Sequence, residues 1–163
     1  HERLVGSEMC IRDSITATNS QNSFATISSA SGLGGLTLFN GGSMSVGAVT
    51  VNGVTNRGVS SNGLLRLYTY DGDITVFENI STTSTASSST APAMIVSAGT
   101  LYPAGYNYGG HVVINSDASS PTITVGSGGI ADIYSGNPNL STGLDKLINA
   151  KASHATYVSY NTQ

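Results

Sequence analysis

"VTVNGVTNRGVSSNGLLRLYTYDGDITV", residues 49–76, holds three short runs separated by Asn and Gly. Val, Thr, Leu, Tyr and Ile fill the runs, and such residues suit a pleated, half-buried surface. Asn and Gly tolerate turn conformations. The stretch is almost free of side chains that do chemistry. Its pattern extends in both directions, through "FATI" (24–27), "LTLF" (36–39), "AVTV" (48–51), "LLRLYTY" (64–70), "ITVFENI" (74–80), "AMIVSA" (93–98), "HVVIN" (111–115), "TITV" (122–125) and "ADIYS" (131–135). Each run is bounded on at least one side by Gly, Asn, Asp or Ser. No helical period of any length occurs before residue 141.

The chain is therefore expected to be all-β. Two architectures compete for short, fairly evenly spaced strands: an antiparallel sandwich, and a parallel β-helix (solenoid) in which each coil is laid on the last. The β-helix is favoured. The runs are short, and several are apolar on successive residues rather than alternating. Few connections carry an Asn-Gly hairpin signal; Asn52-Gly53 and Asn62-Gly63 are two that do. In such a stack, Val, Ile, Leu and Thr pile on their own kind, and Asn and Ser can form ladders at the corners.

Composition narrows the function classes. Only 9% of the 163 residues are charged, against 25 Ser, 18 Thr, 13 Asn and 20 Gly. Apolar residues make up 39%, too many and too well patterned for a disordered chain. The net charge is −3 with no basic stripe, so nucleic acid is not an expected partner. No apolar run reaches the ~18 residues that a membrane helix needs. The single cysteine, Cys10, has no partner for an intrachain disulfide. A Ser/Thr/Asn/Gly-rich, Lys-poor chain suits a bacterial surface protein exported unfolded, although other β-rich proteins share this composition.

Several segments depart from the pattern. The first stretch, "HERLVGSEMCIRDS", concentrates charge in Glu2, Arg3, Glu8, Arg12 and Asp13 and carries Cys10. "EMCIRDS" resembles translated sequencing-adapter read-through, so residues 1–13 are read as non-native or, alternatively, as a disordered native terminus, and the chain as a metagenomic fragment. Residues 14–138 are read as β-helix coils with two loop excursions. The first is the low-complexity "STTSTASSSTAPA" (81–93). The second is "LYPAGYNYGG" (101–110). Residues 139–163 are read as a helix-containing cap or linker. There Leu144, Leu147 and Ile148 fall on one face of a short helix, with Ser141 or Thr142 as N-cap.

Taken together, these residues resemble a known family. "VTVNGVTNRGVSSNGLLRLYTYDGDITV" is similar to the coils of filamentous-haemagglutinin-type adhesins, where a strand, "NG", a second strand and "GDI" follow in order. "GGHVVINSDASSPTITVGSGGIADIYSGNPNLSTGL" is similar to the end of the β-helix in large bacterial adhesins that carry YDG-type modules downstream. The likeness covers roughly residues 15–150. It implies a right-handed parallel β-helix, exported by outer-membrane secretion machinery and displayed outside the cell or on its surface. It further implies contact with host or neighbouring-cell surfaces, glycan or protein. The family's N-terminal secretion domain is not in this sequence.

The sequence offers little chemistry, and no residue is expected to be catalytic, cofactor-binding or metal-ligating. Polysaccharide-cleaving β-helices use grouped carboxylates. Asp71 and Asp73 lie two apart in "YDGDI", but Gly72 between them reads as a turn. Glu78 reads as a solvated strand residue, and Asp117 and Asp132 have no second acid near them in sequence. His1, His111 and His154 are far apart and show no zinc spacing. "GSGGIAD" (126–132) lacks a glycine that the calcium-binding repeat would need at Ala131. Nucleophile-elbow and phosphate-loop motifs are absent. Asn79 and Asn139 match the glycosylation pattern, as chance allows in so Ser/Thr-rich a chain. Tyr102, Tyr106 and Tyr108 cluster in the second excursion and form the candidate ligand or partner contact, since exposed aromatics stack on sugars or anchor proteins; the competing reading is that they pack the loop down.

Three functions follow as expectations. The first is a non-catalytic shaft segment of an exported adhesin, mediating attachment or biofilm-type contacts. The second is a carbohydrate-active, pectate-lyase-like β-helix enzyme. The third is a self-associating surface spacer without a ligand.

Overall fold

The computed structural model describes residues 14–30, 34–102, 110–115, 121–137, 139–144 and 156–160. The described chain is all-β. Strands β1 (Ile15–Ala17), β4 (Leu36–Asn40), β9 (Leu65–Thr69), β14 (Met94–Ser97), β17 (Ala131–Ser135) and β18 (Thr156–Tyr160) form a first sheet, hydrogen-bonded in that order. A second sheet has β2 (Thr26–Ile27), β5 (Met44–Val46), β10 (Ile74–Val76) and β15 (Val112–Ile114). A third has β3 (Ser29–Ala30), β8 (Val59–Ser61), β11 (Ile80–Thr82) and β16 (Ile123–Thr124). Every pairing within these three sheets is parallel. From Ile15 to Thr124 the chain visits first, second and third sheet in turn, and then repeats.

The register explains why the sequence tolerates this order. Alternate strand residues point to opposite faces. In the first sheet Leu36, Leu65, Met94 and Ala131 align across the strands, as do Leu38, Leu67, Val96 and Ile133. All eight are buried. Met44, Ile74 and Val112, with Val46, Val76 and Ile114, repeat the arrangement in the second sheet, and Val59, Ile80 and Ile123 in the third. The inward side chains of all three sheets join in one apolar cluster. Parallel pairing, with strands far apart in sequence as neighbours, rules out the antiparallel sandwich for this chain.

Polar residues occupy the corners. Asn40 is 1% exposed and sits where the chain passes from first to second sheet. Its Oδ1 accepts from the Phe24 N–H at 2.7 Å, and its Nδ2 donates to the carbonyls of Phe24, Gly42 and Ser43. One round later its register partner Thr69 is also fully buried; it donates to the Gly72 carbonyl and accepts from the Gly99 N–H. Ser61 and Thr82, paired at the end of the third sheet, both donate to the Gly63 carbonyl. These side chains saturate backbone groups that the sheets leave unpaired where the chain bends.

Among the described residues two hairpins interrupt the rounds. Between β5 and β8 the chain leaves as β6 (Ala48–Val51) and β7 (Val54–Arg57), an antiparallel pair. Its turn residues Asn52 and Gly53 have φ of 51° and 79°, the left-handed values of a two-residue hairpin turn. Val51 and Val54, 59% and 63% exposed, stand at its tip. Arg57 ties its base to Glu78 at 2.7 Å. The second hairpin, β12 (Ser87–Ser88) and β13 (Ala91–Pro92), lies before β14.

Several expectations change in detail. "AVTV" is half of the exposed hairpin rather than a core strand. "ITVFENI" is not one strand: it bends at Phe77–Glu78, so Glu78 sits at a corner in an ion pair, and Ile80 begins the next sheet. Ser81 and Thr82, expected in the first excursion, belong to β11. Among the described residues there is no capping helix. Residues 139–143 are turns and Leu144 is buried, while Leu147, Ile148 and the rest of the expected helix lie outside the described residues. The segment 139–163, expected as cap or linker, contains β18, which extends the first sheet by pairing with β17.

Candidate functional site

The outer face of the first sheet carries aromatic, cationic and anionic side chains in regular rows. Its strands alternate, so every second residue points outward. β4 presents Thr37 and Phe39, β9 presents Arg66 and Tyr68, β14 presents Ile95 and Ser97, and β17 presents Asp132 and Tyr134. Parallel register sets these in two rows across the strands. One row runs Thr37, Arg66, Ile95, Asp132; the other runs Phe39, Tyr68, Ser97, Tyr134. All eight are half-buried, flanked by side chains of adjacent strands.

The aromatic rings organise one side of this face. Phe39 and Tyr68 stack with centroids 5.8 Å apart, and Tyr70, just past β9, tilts against Phe39 at 6.4 Å. Tyr70 is 41% exposed and Leu101 44%, and Leu101 donates its N–H to the Tyr70 carbonyl. That bond sets Leu101 beside Tyr70 at the corner that follows the first sheet. Aromatic pairs contribute beyond the area they bury.

Partial burial sets the electrostatics. Burial pushes the Tyr68 hydroxyl above its ordinary pKa, opposed by the charge and hydrogen bond of Arg66. Burial also raises Asp132 above the usual carboxylate value, opposed by the Tyr134 hydroxyl, which donates to it at 3.5 Å. Tyr134 is raised in turn, by burial first and then by the Asp132 charge. A carboxyl whose folded pKa is raised costs stability when ionised. That cost is present above the folded pKa and disappears as pH falls below the unfolded value. Asp132→Asn is therefore expected to stabilise the fold slightly at pH ~7 and to have no such effect near pH ~3. Urea denaturation at the two pH values checks this, and a larger gain at the lower pH would contradict it.

Of the three tyrosines expected as a contact patch, Tyr102 is half-buried at the corner after β14, its N–H donating to the Gly99 carbonyl. Tyr106 and Tyr108 lie outside the described residues. The acids are spread over the fold. Asp71 is exposed at the corner after β9. Asp73 accepts from the His111 N–H at 2.8 Å and donates its own N–H to the Ser43 hydroxyl, which is the work of a corner residue. Asn79 accepts from the Thr122 N–H and hydroxyl. Among the described residues no three His, Cys, Asp or Glu side chains gather as a metal site would require, and no helix is long and apolar enough to cross a membrane.

The sequence alone does not single out Phe39, Tyr68, Tyr70 and Tyr134. A signal for three of them is present in "LTLFN", "LRLYT" and "ADIYS", each with an aromatic at its fourth position. Only the parallel register places those fourth positions on one face. No family model, curated protein or solved structure matches the chain.

Proposed function

We propose that this chain is a shaft segment of an exported bacterial surface adhesin, a right-handed parallel β-helix that mediates attachment or biofilm-type contacts without catalysis. The observation that supports this reading most is the visiting order. Three parallel sheets are entered in turn, and each strand is in register with the one laid down a round earlier. A chain that closes each round on the previous one grows along a single direction, so it makes an elongated, stiff body. Such a body presents the outer faces of its sheets as long, flat strips. The aromatic and polar strip on the first sheet is of the kind that makes weak, repeated contacts with a glycan or protein surface. Export through outer-membrane secretion machinery belongs to the same proposal.

Beads coated with the purified chain test the attachment. They are expected to bind bacterial or host cells, or immobilised glycans, above the level of uncoated beads, and to lose part of that binding with Tyr68→Ala and Tyr70→Ala. Coated beads that bind no better than bare ones would contradict the adhesin reading. The self-associating spacer reading is favoured by one separate observation, the placing of Arg66 and Asp132 on either side of Ile95 in one outward row.

A further inference from the structure

The outer rows of the first sheet have a symmetry of their own. On three neighbouring strands, β9, β14 and β17, one row reads Arg66, Ile95, Asp132 and the other Tyr68, Ser97, Tyr134. Within these three strands each row is centred on β14, and the rows continue to Thr37 and Phe39 on β4. Arg66 and Asp132, the cation and anion of these rows, stand at equal distances on either side of that centre, and so do the two tyrosines.

We infer that this face docks on the same face of a second copy of the chain. A two-fold axis lying between the two faces, along β14, turns one copy onto the other with the strands parallel and the direction of stacking reversed. Arg66 then faces the partner's Asp132, and Asp132 faces the partner's Arg66. Tyr68 faces the partner's Tyr134, and Ile95 faces the partner's Ile95 at the centre. This is an isologous interface, in which residue i meets j and j meets i. Charge complementarity selects the occupant: the face carries both signs, placed so that its own inverted copy cancels both. Sheets packed in this way sit face to face with strands close to aligned. Three strands about 4.8 Å apart make a small face, so one segment associates weakly, and a longer stack of the same kind would repeat the contact. The inference stands on the sheet register and the charges it aligns, and does not depend on the adhesin reading.

Charge reversal tests it on the full 163-residue chain by sedimentation velocity, loaded up to about 1 mM, with far-UV circular dichroism as the folding control. The wild type is expected to associate, more weakly as salt rises. In R66E dimers the new carboxylate meets the partner's Asp132, anion against anion. In D132R dimers the new guanidinium meets the partner's Arg66, cation against cation. Each substitution is expected to weaken self-association by about tenfold or more. An equimolar mixture of the two single variants is expected to recover the wild-type level, because their heterodimer forms two attractive pairs. R66E/D132R is expected to recover it as well. A glycan or unrelated protein as the true occupant would give no such recovery. A wild type that stays monomeric throughout, single variants that associate as the wild type does, or a mixture that does not recover would each overturn the inference.

Discussion

Leu67→Ala is expected to lower the unfolding free energy by about 2–5 kcal/mol. Leu67 is completely buried on an inner strand of a stack that runs Leu38, Leu67, Val96 and Ile133. Truncation removes apolar area from contact with both neighbours at once. The strands above and below are held by parallel backbone hydrogen bonds at a fixed spacing, so they cannot close on the gap. The loss is thus the transfer term plus the full cavity term. A domain of this size has about 5–15 kcal/mol to lose, so the variant gives up a large fraction of its stability. Urea denaturation followed by circular dichroism reads the change. A loss below ~1 kcal/mol would mean that Leu67 is not enclosed from both sides. Thr37→Ala, on the outer face of the same sheet, is the companion control and is expected to change stability by no more than about 0.5 kcal/mol.

Asn40→Ala is expected to cost about 3 kcal/mol or more, although it removes almost no apolar contact. The side chain closes the first corner by accepting one backbone N–H and donating towards three carbonyls. Alanine leaves the Phe24 N–H and the carbonyls around it in a site that is 1% exposed. Each buried group left without a partner costs about 1–3 kcal/mol. Asn40→Leu, which restores volume but no hydrogen bonds, is expected to recover little. That pair of variants separates a hydrogen-bonding role from a packing one. Thermal denaturation of both decides it, and near-wild-type stability of Asn40→Leu would assign Asn40 to packing.

How much of this is legible in the sequence depends on the kind of signal. β9 is legible within 64–70 because "LLRLYTY" alternates between residues that favour the core and residues that do not. "HVVIN" and "ADIYS" are legible as runs of β-branched and aromatic residues between turn signals. β5 and β8 are not: "MSV" and "VSS" are three residues long and carry serine, and only their pairing with Ile74–Val76 and Ile80–Thr82 makes strands of them. "AVTV" has the right composition for the core yet folds outward, because Asn52-Gly53 offers a local hairpin that satisfies its hydrogen bonds without the sheets. Corner residues are half visible. Composition suggests Asn and Ser ladders in general, but nothing in "LFNGG" marks Asn40 as buried. The aromatic and charged rows of the first sheet are invisible for a different reason. Arg66 and Asp132 are remote in sequence, and it is the number of residues spent on loops in each round that sets them two strands apart. Leu36 pairs with Leu65 and Leu65 with Met94, so two successive rounds have the same length although their hairpins leave at different corners. Composition cannot supply that register.

Methyl–methyl nuclear Overhauser effects in the isotope-labelled chain report directly on the in-register parallel stack. Contacts are expected from Leu38 to Leu67, from Leu67 to Val96 and from Val96 to Ile133, with none between Leu38 and Val96. Contacts joining these strands to their neighbours in sequence in an antiparallel pattern, with the Leu67 contacts to Leu38 and Val96 missing, would contradict it.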